Sequence, residues 1–322
     1  MIVDVHGHVT HPELLERFPM PRVLGDIDGM LEQKEAAGID MTIVGSPVGY
    51  GTMVPFPGLD NYAQPPDQLA SFHDWLGQTV ERYSDHLRAY VYTNPFDETL
   101  LEQTAQTVRE DAFVGLIVNT SVRGEYLDSE RADAFFAMVE ELGVPVLLHP
   151  PAEPVGAGSL RDPRLVEQVA RPSDVTAGLA ALIFSGRLER HPDVKLIGAM
   201  AGGAISLLAV RLELAYRMPA GGPPGGAPGA GGGGLSESPG ASLARVYLDT
   251  TTYSRASLLA NLETVGAGHI LFGTDTPPAA RPLDQAIGLV TGLPIEPDEA
   301  RQILGQTAIE LFALGATSEV AS

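Results

Sequence analysis

The sequence predicts an α/β fold, a parallel (β/α)8 barrel forming a single domain over residues 1–322, on three observations. Eight short apolar runs of strand character alternate with helical patterns along the chain. The length of 322 residues suits such a barrel, which takes about 250 residues plus insertions. The first and last runs end on residues with chemistry, His6 and His8 at one end and Asp275 at the other. Strands alternating with helices form a parallel sheet with right-handed crossovers, and eight of them close into a barrel.

The first strand runs straight into His6-Gly7-His8. Side chains two apart on a strand point the same way, so both imidazoles aim at one place where a divalent metal could sit. Gly7 leaves room for a ligand or for close packing. A turn at Val9-Thr10-His11-Pro12 leads into a helical pattern through Phe18, and a helix over 26–37 is stopped by Gly38. The second strand is 41–44. The long segment 46–66 is rich in Gly and Pro and carries Tyr50, Phe56 and Tyr62, read as a wall of the active site. A helix over 67–84 includes Trp75, read as core.

The third strand, 87–93, is followed by a helix over 99–111. The fourth, 114–118, ends at Asn119, and Arg123 just beyond it is a candidate for holding a carboxylate at the mouth. A helix over 129–142 ends at Gly143, and the fifth strand, 144–148, ends at His149. A helix over 176–190 precedes the sixth strand, 194–198, and another over 205–218 follows it. Residues 219–240 are nearly all Gly, Pro and Ala and read as a flexible loop within the domain. The seventh strand, 245–248, ends at Asp249, which suits orienting a neighbour or capping the next turn. A helix over 257–265, an eighth strand over 270–272 and a closing helix over 298–313 complete the pattern.

In such barrels the chemistry gathers at the C-terminal ends of the strands. The groups there are His6, His8, His149 and Asp275. Three imidazoles and one carboxylate suit a zinc-like site with an open position. His11 reads as a turn residue, and His73, His86, His191 and His269 as structural or solvated.

Composition narrows the function. The chain has no cysteine, which excludes disulfides, thiolate ligands and a Cys nucleophile. Apolar runs such as 177–184 fall short of the ~20 residues a membrane helix needs. With strand pattern directly after Met1 and no signal-peptide pattern, the expectation is a soluble cytoplasmic protein. A formal net charge of −21 argues against nucleic acid and anionic membranes as partners. The only lysines are Lys34 and Lys195, so an arginine is the natural reader of a substrate carboxylate.

Four stretches stand out together: Asp4-Val5-His6-Gly7-His8, Val146-Leu147-Leu148-His149-Pro150, the run 182–192, and Ile270 through Pro277. In them the chain resembles the amidohydrolase superfamily, and more narrowly the amidohydrolase-related group that includes aminocarboxymuconate-semialdehyde decarboxylase. The resemblance implies a distorted TIM barrel with one divalent metal, commonly zinc, held by His6, His8, His149 and Asp275. It also implies a homodimer with a shared site, in which an arginine falling on Arg211 reaches the neighbouring subunit. Three features depart from the pattern. The usual histidine at the end of strand six is Met200, followed by Ala201, and methionine neither takes nor gives a proton. The segment between His11 and Asp26 is too short for the decarboxylase's substrate-binding arginine, and Pro151 stands where an aromatic is usual.

The expected function is a metal-dependent lyase that decarboxylates a small unsaturated or aromatic carboxylic acid without oxidation. In that reading Asp275 ligates the metal and shuttles a proton, while Arg123 and Arg211 hold the carboxylate. A metal-dependent hydrolase of an amide, ester or lactone is the alternative, disfavoured by Met200. A repurposed barrel that only binds a ligand is the third.

Overall fold

The computed structural model describes residues 1–218, 235–279 and 281–315. Its centre is a single parallel sheet of eight strands in sequential order. They are β1 (Val3–His8), β2 (Met41–Gly45), β3 (Leu87–Tyr92), β4 (Phe113–Asn119), β5 (Val146–His149), β6 (Leu196–Gly198), β7 (Tyr247–Asp249) and β8 (Ile270–Leu271). Each pairs in parallel with the next. The ring is drawn together where Val5 N–H donates to Phe272 O at 2.9 Å and Asp275 N–H to His6 O at 2.7 Å. This is the expected (β/α)8 barrel. It is uneven: β4 has seven residues and β8 two, so the late strands contribute a thin ladder.

The strands are apolar almost throughout because helices cover the outer face and side chains fill the inside. Val5, Ile43, Leu116, Leu147, Ile197 and Leu271 are buried in one apolar cluster that runs through the barrel. Gly7 serves packing: a Cβ there would lie 2.7 Å from Thr42 Cγ2 on β2.

Several boundaries differ from expectation. The predicted helix over 176–190 begins earlier, at Arg171–Phe184, with Pro172 in its first turn, where a missing N–H costs nothing. One π-helical turn, Val166–Ala170, precedes it. The helix ends at Phe184, and Gly186, with φ of 70°, turns the chain into a short helix Arg187–Arg190. A helix Leu283–Thr291 was not anticipated; its Leu283, Ala286 and Val290 are buried. The closing helical segment contains a second π turn, Gln302–Gln306.

Of the predicted flexible loop 219–240, residues 219–234 lie outside the described residues. The remainder is tied down. Ser236 donates to Glu189, Glu237 pairs with Arg245, and Pro239–Leu243 is helical. The polar Ser236 and Glu237 break the Gly-rich composition and find charged partners. The segment 46–65 holds no helix or strand, as expected of a long loop over the mouth. No helix among the described residues is long and apolar enough to cross a membrane.

His73 lies in the core, where its Nε2 accepts the N–H of Tyr92 at 3.1 Å. Burial pulls its pKa down to about 3, while an unfolded histidine titrates near ~6.5. The folded value is the lower one. Between those values the unfolded chain binds a proton that the native state refuses, so stability falls as pH drops. His73→Gln should therefore lose less stability than the parent between about pH 6.5 and about pH 4.5, by about 1–2 kcal/mol. Urea unfolding at the two pH values checks this, and equal losses would contradict it.

Candidate metal centre

β1 ends on His6 and His8, and β5 ends on His149. Asp275 follows β8 on a left-handed residue with φ of 57°, a conformation that aspartate tolerates. All four stand at the C-terminal mouth of the barrel. Each offers a ligand atom, and those atoms lie within 4.8 Å of one another. His6 Nε2 is 3.1 Å from His8 Nε2, and His8 Nε2 is 3.0 Å from Asp275 Oδ1. His6 Nε2 is 3.7 Å from the same carboxylate oxygen.

The other ring nitrogens explain why the rings face inward. His6 Nδ1 donates to Asp249 Oδ2 at 2.6 Å. His8 Nδ1 donates to the Gly45 carbonyl at 3.0 Å, and His149 Nδ1 to the Pro150 carbonyl at 2.8 Å. These acceptors place each proton on Nδ1. Three bare Nε2 lone pairs therefore share one small space with a carboxylate. Lone pairs at such distances repel unless a cation lies between them. A tetrahedral ion with bonds of ~2.1 Å separates its ligands by about 3.4 Å, so the donor set, and the spacing among His6, His8 and Asp275, fit one divalent ion.

The surroundings shift the titration of these groups in different directions. Burial holds His149 well below the ordinary histidine range, and the neighbouring His8 and His6 add to this. For Asp275, burial works to raise the pKa, but the close contact with His8 and the neighbouring His6 and His149 outweigh it and keep the carboxyl well below its usual range. At His6 burial pulls downward, yet the Asp249 hydrogen bond and the charges of Asp275, Asp249 and Asp4 leave it raised.

Asp249 both orients a neighbour and caps the following turn. Its Oδ2 holds His6, and its Oδ1 accepts the N–H groups of Ala201 at 2.7 Å and Thr251 at 3.0 Å. The Ala201 contact fixes a strained turn. Met200 and Ala201 have φ of 54° and 56°, and such residues cost on the order of 1–3 kcal/mol each. Asn261 adds a hydrogen bond to the Ala201 carbonyl.

Beneath the ligands Asp4 joins the two ends of the barrel. Its Oδ1 accepts the N–H groups of His6 and Thr274, both at 3.0 Å. Its Oδ2 accepts the Thr274 hydroxyl at 2.6 Å and the buried Lys34 ammonium. The chain on either side of this carboxylate carries metal-centre residues, His6 and His8 on one and Asp275 on the other. Lys34 was not anticipated, although it sits in the last turn of the helix Ile27–Ala36 at the i, i+3, i+4, i+7 spacing of the apolar face of Ile27, Met30 and Leu31.

Above the ligands is a cavity of about 250 Å³, lined by His8, His149, Asp275 and Met200, with mostly apolar walls. The 46–65 loop supplies Pro47, Val48, Met53 and Val54 to it. The aromatics expected there lie elsewhere: Tyr50 donates to Glu13 and Phe56 is exposed. Tyr62 lines a separate outer cleft together with Arg123. Arg123 is not at this cavity; it pairs with Asp60 and is more than half exposed. Arg211 lies on the exposed side of the helix Ala209–Tyr216. His11 caps the first helix and packs on Trp75. The cation that does line the cavity is Arg171, which sequence reading missed by starting the helix five residues too late.

A parallel barrel with three imidazoles and a carboxylate at its mouth defines a protein built to hold one divalent metal ion. A family model described as Amidohydrolase matches residues 3–314, and the chain belongs to that family of enzymes. A 2-amino-3-carboxymuconate-6-semialdehyde decarboxylase of Dictyostelium discoideum is 24% identical over 164 residues, covering 47% of this chain and 43% of that protein. The chain thus matches less than half the length of that relative. Among solved structures, the 5-carboxyvanillate decarboxylase of Sphingomonas paucimobilis superposes with a TM-score of 0.78 at 19% identity, covering 97% of this chain and 98% of that one. A dihydroxybenzoic acid decarboxylase of Polaromonas sp. JS666, with bound manganese and the inhibitor 2-nitroresorcinol, gives 0.76 at 19% identity and covers 100% and 99% of the two chains.

Asp249→Ala should weaken divalent-metal binding by about 10–100-fold, as loss of a ligand's hydrogen-bond partner does elsewhere. Competition with a chromophoric chelator measures this; an unchanged affinity would contradict the role given to Asp249.

Proposed function

We propose that the chain is a metal-dependent decarboxylase acting without oxidation on a small aromatic or unsaturated carboxylic acid. The observation that carries this is a four-ligand centre facing a small, mostly apolar cavity in which Met200 occupies the turn after β6. Hydrolysis needs a base for water, and a thioether cannot serve as one. The decarboxylases among the similar proteins support the same choice.

In this reading His6, His8, His149 and Asp275 hold the ion, which we take to be zinc because nitrogen-rich donor sets favour it; manganese is the rival ion. When bound, it supplies a Lewis acid that stabilises negative charge on the substrate. The chain's own groups do the rest. The C–C bond to the carboxylate breaks, carbon dioxide leaves, and the electron pair stays on carbon until a proton arrives. Asp275 is ionised in the resting site, so it would first take a proton from solvent, before substrate closes off the cavity, and then give it to that carbon, where the electron pair left by carbon dioxide forms the new C–H bond. The apolar walls exclude water and favour departure of neutral carbon dioxide.

We place Arg211 at the second subunit of a homodimer. Leu207, Val210 and Leu214 are exposed on the same helical segment, with Val210 73% exposed, which suits an interface between copies. Arg123, already held by Asp60, keeps only an outer position.

Protein loaded with zinc or with manganese should release carbon dioxide from at least one member of a panel of small aromatic acids. His149→Ala should lose both the metal and the release. Hydrolysis of amides, esters or lactones with no carbon dioxide from the whole panel would contradict the proposal. Arg211→Ala should raise KM about tenfold in a chain that light scattering shows to be dimeric; a fully active monomer would contradict the shared site.

A further inference from the structure

Arg171 opens the helix Arg171–Phe184 directly after the π turn Val166–Ala170. Such turns are often found at functional sites. Its side chain is 11% exposed, and it lines the same cavity as His8, His149, Asp275 and Met200. A guanidinium carries five N–H donors. Here one nitrogen, Nη2, meets the Glu167 carboxylate at 3.0 Å and the Met53 carbonyl at 3.4 Å. Nε is buried with no partner. Leaving such a donor unmatched costs on the order of 1–3 kcal/mol, so the chain itself uses little of this guanidinium's hydrogen-bonding capacity. Glu167, its carboxylate partner, is half exposed at the cavity rim and can yield to a ligand.

The cavity therefore has two charged poles, the metal centre and Arg171, with apolar wall between. Its volume is about 250 Å³; a dry cavity of ~150 Å³ already takes benzene. The space suits one substituted ring.

We propose that Arg171 anchors an anionic group of the substrate that stays on the product, a second carboxylate or its equivalent, through the Nη edge of its guanidinium. The choice of substrate rests on the decarboxylase reading; the anchor itself does not. The group that leaves is a poor use of this cation. A carboxylate loses its charge on becoming carbon dioxide, so pairing it would favour the ground state over the transition state. A spectator carboxylate keeps its ion pair throughout and fixes the ring against the metal centre. The substrate class is then a single-ring or similarly small dicarboxylate.

Calorimetric binding of isophthalate and of benzoate to the metal-loaded chain tests this without turnover. The parent should bind isophthalate ten- to hundredfold more tightly than benzoate, the effect of charge-assisted hydrogen bonds. R171M should bring that ratio to about one with metal content unchanged. E167Q, which frees the guanidinium, should raise the ratio. Where R171M loses its native circular dichroism, E167Q decides alone. No preference in the parent, an unaltered ratio in folded R171M, or an unaltered or lower ratio in E167Q overturns the proposal. A chain that keeps the predicted ratios yet releases no carbon dioxide from any acid refutes the decarboxylase reading and upholds the anchor.

Discussion

Three imidazole lone pairs are forced into one small space, and the rest of the structure serves that arrangement. Each ring is fixed from behind by an acceptor for its Nδ1 proton: the Asp249 carboxylate, the Gly45 carbonyl and the Pro150 carbonyl. None can turn away without leaving a buried acceptor unmatched. Left to themselves, three lone pairs and a carboxylate this close would destabilise the fold. A divalent ion converts the same crowding into binding energy, and proton-free ligands bind it best.

The barrel supplies the means. Its first and last strands must meet for the ligands to meet, and backbone pairing there is sparse because β8 is only two residues long. Asp4 makes up for it. One buried carboxylate takes N–H groups from both sides of the seam and is balanced by buried Lys34. Breaking a buried ion pair by removing one partner costs about 3–5 kcal/mol, so the seam and the metal centre share a weak point. Asp249 plays a comparable part between β1 and the strained Met200-Ala201 turn, fixing a ligand with one oxygen and a loop with the other.

Much of this was legible in the sequence because it depends on short-range rules. Period-two alternation puts His6 and His8 on one side, and strand ends locate His149 and Asp275 at the mouth. The alternation of strands and helices gave the barrel. What was missed depends on contacts between distant segments. The helix over 176–190 in fact starts before Pro172, which sits in its first turn, where proline is tolerated. That moves the helix start to Arg171 and brings a cation into the cavity. Arg123 was placed at the mouth by chain proximity, but Asp60, 63 residues away, holds it outside. The aromatics of the segment 46–66 were given to the cavity by composition alone; the fold sets Tyr50 against Glu13, exposes Phe56, puts Tyr62 at a separate cleft and lines the cavity with Pro47, Val48, Met53 and Val54. The helix Leu283–Thr291 has Gly, Thr and Val among nine residues, weak helix formers, and owes its place to buried Leu283, Ala286 and Val290.

The claim beneath all of this is that the three Nε2 atoms and Asp275 Oδ1 bind one ion together. A crystal structure of the manganese-loaded chain, with anomalous scattering measured at the manganese edge, tests it most directly. The account predicts a single strong peak per chain within about 2.0–2.3 Å of all four atoms. A peak bonded to fewer than three of them, or none at the barrel mouth under saturating manganese, would contradict it.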